Sequence, residues 1–179
     1  MNPKQTFYDT QAKTIIQNLE KRRMKGYYCP TKEDAVKTAM SLTAPDTTVS
    51  FGGSMSLFES GIMDALKIRT DINLIDRSLA NTPEDIKKAY RDSFSADTYF
   101  MSTNAITLDG HLVNIDGNGN RVAALIYGPD QVIIAAGMNK VCSTVEDAIR
   151  RVHNIASPPN CIRLNKKTPC AVTGICGDC

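Results

Sequence analysis

The stretch Thr47-Thr48-Val49-Ser50-Phe51-Gly52-Gly53-Ser54-Met55-Ser56 runs from strand composition, through a glycine pair, into a helical pattern. β-Branched and aromatic residues suit a pleated backbone, and paired glycines permit a sharp turn. From Met55 to Leu66 the apolar residues then recur at helical spacing. The same alternation extends in both directions. Towards the C-terminus, Asn73 to Asp76 is a short apolar strand, and Thr82-Pro83-Glu84-Asp85 combines an N-cap, a first-turn proline and first-turn acids. Thr98 to Met101 reads as a buried strand and Ala105 to Ile115 as a hairpin turning at Asp109-Gly110. A helix from Arg121 to Tyr127, a strand from Gln131 to Ala136 and a helix from Thr144 to Ala156 follow, with Pro158-Pro159 ending the last. Towards the N-terminus, Thr31 and Asp34 start a helix over Lys32 to Leu42. Lys4 to Lys25 carries Tyr8, Ala12, Ile15, Ile16 and Leu19 on one helical face, with Gly26 as its stop. Helices alternating with short apolar strands predict an α/β fold: a largely parallel sheet with helices on both faces. Residues 1–157 form the expected domain, and residues 158–179 form a separate cysteine-bearing tail.

The chain has 179 residues, 42% hydrophobic and 22% charged, ordinary values for one globular domain. Its net charge of +2 and scattered basic residues give no case for nucleic acid. The cluster Lys21-Arg22-Arg23 with Lys25 falls at a helix end, where cations complement the helix dipole. No stretch has the ~20 apolar residues of a membrane span, and Met1 to Asp9 lacks a signal-peptide core. The expected location is the cytoplasm, where cysteines stay reduced and serve as ligands, nucleophiles or core residues before disulfides.

In open α/β sheets, ligands collect beyond the carboxyl ends of the strands. Two loops suit an anionic metabolite. Gly52-Gly53-Ser54-Met55-Ser56 combines close backbone approach with two hydroxyl donors, and Glu59 lies one turn further on. The loop lacks the Gly-Lys-Ser/Thr ending of a Walker loop. Asn114-Ile115-Asp116-Gly117-Asn118-Gly119-Asn120-Arg121 is polar and glycine-rich, suited to a nest of backbone N–H groups. Asp116 is the candidate general base, and Arg121 suits a carboxylate or phosphate. Asn104, Asn139 and Lys140 follow strands and complete the candidate set, with Gly117, Gly119 and Asn120 in the second loop. His111 and His153 read as structural or exposed, and no Ser-His-Asp or Cys-His arrangement can be assigned.

Cys161, Cys170, Cys176 and Cys179 crowd the tail, and the last two form a Cys-x-x-Cys pair that puts two thiolates within reach of one metal or cluster. Pro169, Gly174 and Gly177 supply turns around them. The alternative is a flexible tail of unused thiols. Cys29 and Cys142 lie apart and read as core residues.

Several segments resemble the LUD, or lactate-utilization, domain family. They are residues 21–28; Gly52-Gly53-Ser54 with Ser56; Ser102 to Thr107 leading to Asp109-Gly110; Asn114 to Ala124; Asn154-Ile155-Ala156; and Thr168 to Gly174. The resemblance implies a fold like the ribose-5-phosphate isomerase, glucosamine-6-phosphate deaminase and CoA-transferase group (NagB/RpiA-like). It also implies kinship with lactate-oxidation proteins, some of which carry iron–sulfur centres, and so places iron–sulfur ahead of zinc in the tail. Family members carry a further cysteine after the position of Cys179. The catalytic glutamate of CoA-transferases and the acid–lysine set of the isomerases match no positions here, so fold kinship does not carry over their reactions.

Three functions follow as expectations. The first is a metabolite-binding component of lactate or hydroxy-acid utilization, whose tail holds a cluster or docks a redox partner protein. The second is a stand-alone enzyme of isomerase, transferase or ligase type acting on a phosphorylated or CoA-linked metabolite, with Asp116 as base and Arg121 and Lys140 gripping the anion. The third is a regulatory module whose tail binds zinc.

Overall fold

A computed structural model describes residues 2–177. The helices are α1 (Pro3–Lys21), α2 (Lys32–Ser41), α3 (Met55–Glu59), α4 (Ile62–Lys67), α5 (Pro83–Asp92), α6 (Asn120–Ile126), α7 (Val145–Arg151), α8 (Ser157–Arg163) and α9 (Pro169–Thr173). The strands are β1 (Thr47–Phe51), β2 (Ile72–Ile75), β3 (Thr98–Met101), β4 (Ala105–Thr107), β5 (Leu112–Val113), β6 (Gln131–Ile134) and β7 (Val141–Cys142). The chain divides into two compact units, one of residues 27–102 and 116–136, the other of residues 1–26, 103–115 and 137–179.

In the first unit all the strand pairings are parallel, in the order β2-β1-β3-β6. Alternation along each strand sends its side chains to two faces. Val49 and Phe51 of β1, Phe100 of β3, Leu74 of β2 and Ile133 of β6 share one face, packed by Val36, Ala39 and Met40 of α2, Leu57 of α3 and Ile62, Met63 and Leu66 of α4. Tyr99 and Met101 of β3, with Val132 and Ile134 of β6, face the other way against Phe94 and against Ala124 and Leu125 of α6. The register pairs Phe51 with Phe100 and Tyr99 with Val132, keeping each face apolar. The expected parallel α/β sheet with helices on both faces is therefore present. On the second face Ser50 and Ser93 satisfy each other, their hydroxyl oxygens 2.7 Å apart.

In the second unit β5 pairs antiparallel with β4, and β7 parallel with β4 on its other side. The hairpin turns at Asp109-Gly110, as read from sequence. Helix α1 holds it: Asn18 donates to the Leu108 carbonyl at 3.0 Å and Arg22 donates twice to the Asp109 carbonyl at 3.3 Å. The basic cluster at the end of α1 thus has a structural use. No helix among the described residues is long and apolar enough to cross a membrane.

Four expectations need correction. Helix α1 stops at Lys21 rather than Lys25, because Arg23 turns left-handed (φ 62°) and the Met24 N–H closes back on the Leu19 carbonyl. The single helix from Met55 to Leu66 is two, broken where Gly61 adopts a left-handed conformation. Pro158-Pro159 do not end the helical run. After α7 the helix widens into a π turn over Val152–Ala156, and the prolines then occupy the first turn of α8, where no N–H is needed. Cys29 and Cys142 are half-buried instead of core residues: the Cys29 thiol lies 3.5 Å from Thr38 Oγ1, and Cys142 sits on the short strand β7.

Candidate functional site

The glycine pair behind β1 lies at the carboxyl end of the parallel sheet. The Gly52 N–H continues the β1–β3 ladder to the Phe100 carbonyl at 2.8 Å, and the Ser54 N–H turns back to the Gly52 carbonyl at 2.9 Å. Both glycines stand against polar side chains. A methyl group on Gly52 would lie 3.0 Å from the Tyr99 phenol oxygen and 3.4 Å from Arg121 Cδ; one on Gly53 would lie 2.1 Å from Arg77 Nη2. The Arg77 guanidinium, the stem of Arg121 and a buried phenol therefore crowd this turn.

Local structure aims each of them. Asp76, at the end of β2, accepts the Ser78 N–H at 2.8 Å and its hydroxyl at 2.6 Å, winding a 3₁₀ turn that presents Arg77. Burial opposes charge on Asp76, but the Ser78 bonds and Lys67, 3.2 Å away, hold its carboxyl below the usual range. Arg77 donates to the Tyr90 hydroxyl at 3.3 Å and lies 5.4 Å from the centre of that ring, a cation–π arrangement. It forms no ion pair among the described residues. Tyr99 is 2% exposed, and burial pushes its phenol up to about 12, with the Arg77 and Arg121 cations pulling the other way. It stays a neutral hydrogen-bond donor at ordinary pH. Arg121 donates to the Ser102 carbonyl at 3.1 Å; burial lowers its pKa, with Asp116 and Tyr99 opposing.

Asp116 shapes the second loop. Its Oδ2 accepts the N–H groups of Arg121 (2.7 Å) and Val122 (3.0 Å), and its Oδ1 accepts that of Asn118 at 3.4 Å. The carboxylate thus caps the start of α6 and sets the root of the Arg121 side chain. Gly119 precedes α6 at φ 77°, and Gly117 is exposed. Ser54 and Ser56 are half-buried at the start of α3, and Glu59 is exposed at its end. Gly52, Gly53, Ser54, Ser56, Glu59, Asp116, Gly117, Gly119, Asn120 and Arg121 all belong to the parallel-sheet unit.

Asn104, Asn139 and Lys140 belong to the other unit, where they tie strands together. Asn104 Oδ1 accepts the Ile115 N–H at 3.1 Å, and Lys140 donates to the Thr103 carbonyl at 3.1 Å. Arg151 bridges the carbonyls of Asn139 (3.1 Å) and Asn104 (2.6 Å). Sequence reasoning missed Arg77, Tyr90 and Tyr99. Arg77 had a usable signal, an arginine two residues past a strand end; Tyr99 sits inside an apolar strand and reads as core.

The five described cysteines are free thiols, three of them (Cys161, Cys170 and Cys176) in the cysteine-bearing segment. Cys170 of α9 contacts the Thr168 hydroxyl at 3.3 Å; that hydroxyl, opposed by burial and aided by Cys161, lowers its pKa. Cys176 Sγ lies 3.3 Å from His153 Nδ1. Cys179 lies outside the described residues. Among those described, no three of His, Cys, Asp and Glu gather at metal-binding distance. Cys176 faces His153 and Cys170 faces Thr168, so the described thiols do not converge as a four-thiolate iron–sulfur cluster requires.

A parallel sheet flanked by helices places the protein in the α/β class. A family model for the LUD domain matches residues 12–177, nearly the whole chain, and the protein belongs to that family. No curated protein and no solved structure matches it.

Proposed function

We propose that this LUD domain binds a small organic anion at the carboxyl end of β1 and β3, as a component of lactate or related hydroxy-acid utilization in the cytoplasm. The observation that carries the reading is the approach of Arg121 and the neutral Tyr99 phenol to Gly52 and of Arg77 to Gly53. Guanidinium groups are suited to carboxylate and phosphate oxygens, and a half-buried site strengthens charge-assisted bonds. The glycines, having no side chain, let Arg77, the Tyr99 phenol and the Arg121 stem lie close against the backbone. Asp116 positions Arg121 by capping α6; with its oxygens accepting three N–H groups, it serves this binding role better than that of a base. The tail is the proposed seat of a metal or of docking to a redox partner.

Calorimetric titration with L-lactate, other 2-hydroxy acids and inorganic phosphate tests the reading. At least one should bind, and Arg77→Gln should weaken it roughly 10- to 100-fold, the worth of one charged hydrogen bond. Anion binding unaffected by Arg77→Gln and Arg121→Gln would move the site elsewhere.

A further inference from the structure

The fold uses the ring of Tyr99 and leaves its hydroxyl without work. The ring packs in the apolar cluster with Phe94, Ala124 and Leu125, a space that phenylalanine would fill equally. Tyr99 is 2% exposed, yet among the described residues its hydroxyl has no hydrogen-bond partner. Every fully covered side-chain nitrogen or oxygen among those residues does have one, so the small exposed part of Tyr99 includes its hydroxyl oxygen. A tyrosine buried to this degree ordinarily spends that group on a protein partner. Here it is left open to whatever enters the turn.

The hydroxyl opens beside the glycine pair. Its oxygen would be 3.0 Å from a methyl group on Gly52, and Arg121 Cδ would be 3.4 Å from the same methyl. The Arg77 and Arg121 cations lie near enough to oppose the effect of burial on the phenol. Arg77 is itself divided between two tasks. Its Nη1 donates to the Tyr90 hydroxyl at 3.3 Å, while Nη2 lies over Gly53 with no hydrogen bond to another described residue. Anchoring one nitrogen on Tyr90 steadies the other. Tyr90, Arg77, Tyr99 and both glycines belong to the parallel-sheet unit.

We propose that Tyr99 is a specificity-determining residue of this site: its hydroxyl donates to an uncharged oxygen of the ligand, while Arg77 Nη2 takes the charged end. The ligand is then an anion that carries a second, neutral oxygen function, carbonyl or hydroxyl. This inference rests on the reading of the glycine turn as an anion site. The two donors divide the labour. A guanidinium attracts any anion, whereas a protonated phenol supplies one directional bond and no charge. A ligand without the second oxygen shuts the hydroxyl away from water with nothing to bond, which is how such sites reject close analogues.

The test is calorimetric titration of the full chain with L-lactate, pyruvate and propionate, matched in charge and carbon number, and with inorganic phosphate. Wild type should bind L-lactate or pyruvate about tenfold or more tighter than propionate. Tyr99→Phe should bring the oxygenated acid down to the propionate level and leave propionate within about twofold of wild type. Arg77→Gln should instead weaken all the carboxylates together. Because Tyr99→Phe breaks no hydrogen bond within the described residues, its melting temperature at neutral pH should match wild type. A purely structural role for Tyr99 would weaken every probe in parallel, with a lowered melt, and would overturn the assignment. Equal affinity for the three carboxylates in wild type would overturn it too, as would a preference that survives Tyr99→Phe. Binding of phosphate alone would leave Arg77 in an anion site and remove the role of Tyr99. No binding of any probe would remove the anion site and this inference together.

Discussion

The two glycine-bearing segments of the parallel-sheet unit use glycine for opposite reasons. At Gly52-Gly53 the backbone is ordinary and the space is full: Tyr99, Arg121 and Arg77 stand where side chains would go. In the Asp116–Arg121 loop the space is empty. A methyl group on Gly117 or Gly119 would meet nothing within 4 Å, and only the φ of +77° at Gly119 asks for glycine. One segment is glycine-rich because side chains crowd it, the other because its path bends. Composition alone makes them look alike.

Substitutions break or sharpen this contrast. The largest effect should come from Gly52→Val, whose branched side chain must displace the buried Tyr99 phenol and the Arg121 stem. Overpacking of this kind costs about 2–3 kcal/mol, and thermal melting should fall by roughly 5–10 °C for a chain of this size. An unchanged melt would mean that the crowding is soft.

Next comes the pH dependence of Tyr99. Its phenol holds the proton more tightly in the folded state, at about 12, than the ordinary value of 10.0. The unfolded chain loses that proton first as pH rises, so the associated stability is full below pH ~10 and disappears through pH ~12, up to about 2–3 kcal/mol. Urea unfolding at about pH 9 and pH 11.5, wild type against Tyr99→Phe, isolates it. A stability difference between the two proteins that stays constant over that interval would show Tyr99 to be wetter than its burial indicates.

Gly119→Ala should cost about 1–2 kcal/mol for forcing a side chain into the left-handed region, whereas Gly117→Ala should stay within ~0.5 kcal/mol. Parallel denaturant midpoints for the two decide whether conformation alone governs this loop. The smallest stability change belongs to Gly53→Ala. Its methyl group meets the flexible end of Arg77, which swings away at little cost. Anion affinity should nevertheless fall about tenfold with the loss of one guanidinium contact. Unaltered binding in this variant would separate Arg77 from the site.

Much of the fold was legible along the chain. Thr31, Thr82 and Thr144 each accept the N–H three residues on, as caps do wherever a helix starts at such a residue. The strand Thr98–Met101 was bounded correctly because Asp97 and Ser102 flank a purely strand-forming run. The errors fell where local signals compete. Pro158-Pro159 normally end a helix, but the π turn before them let the chain continue. Of the residues gathered at the glycine turn, Gly52, Gly53 and Arg121 were among those expected from sequence, while Arg77 and Tyr99 were not. Their roles depend on neighbours far along the chain.

The sequence by itself determined the family, the order of helices and strands, and the parallel sheet, since caps, turns and hydrophobic period act over a few residues. Only the tertiary structure decided which glycines are crowded, that Asp116 caps a helix, and that His153 meets Cys176. Those facts depend on register and packing between segments distant in sequence, where no short-range pattern carries the information.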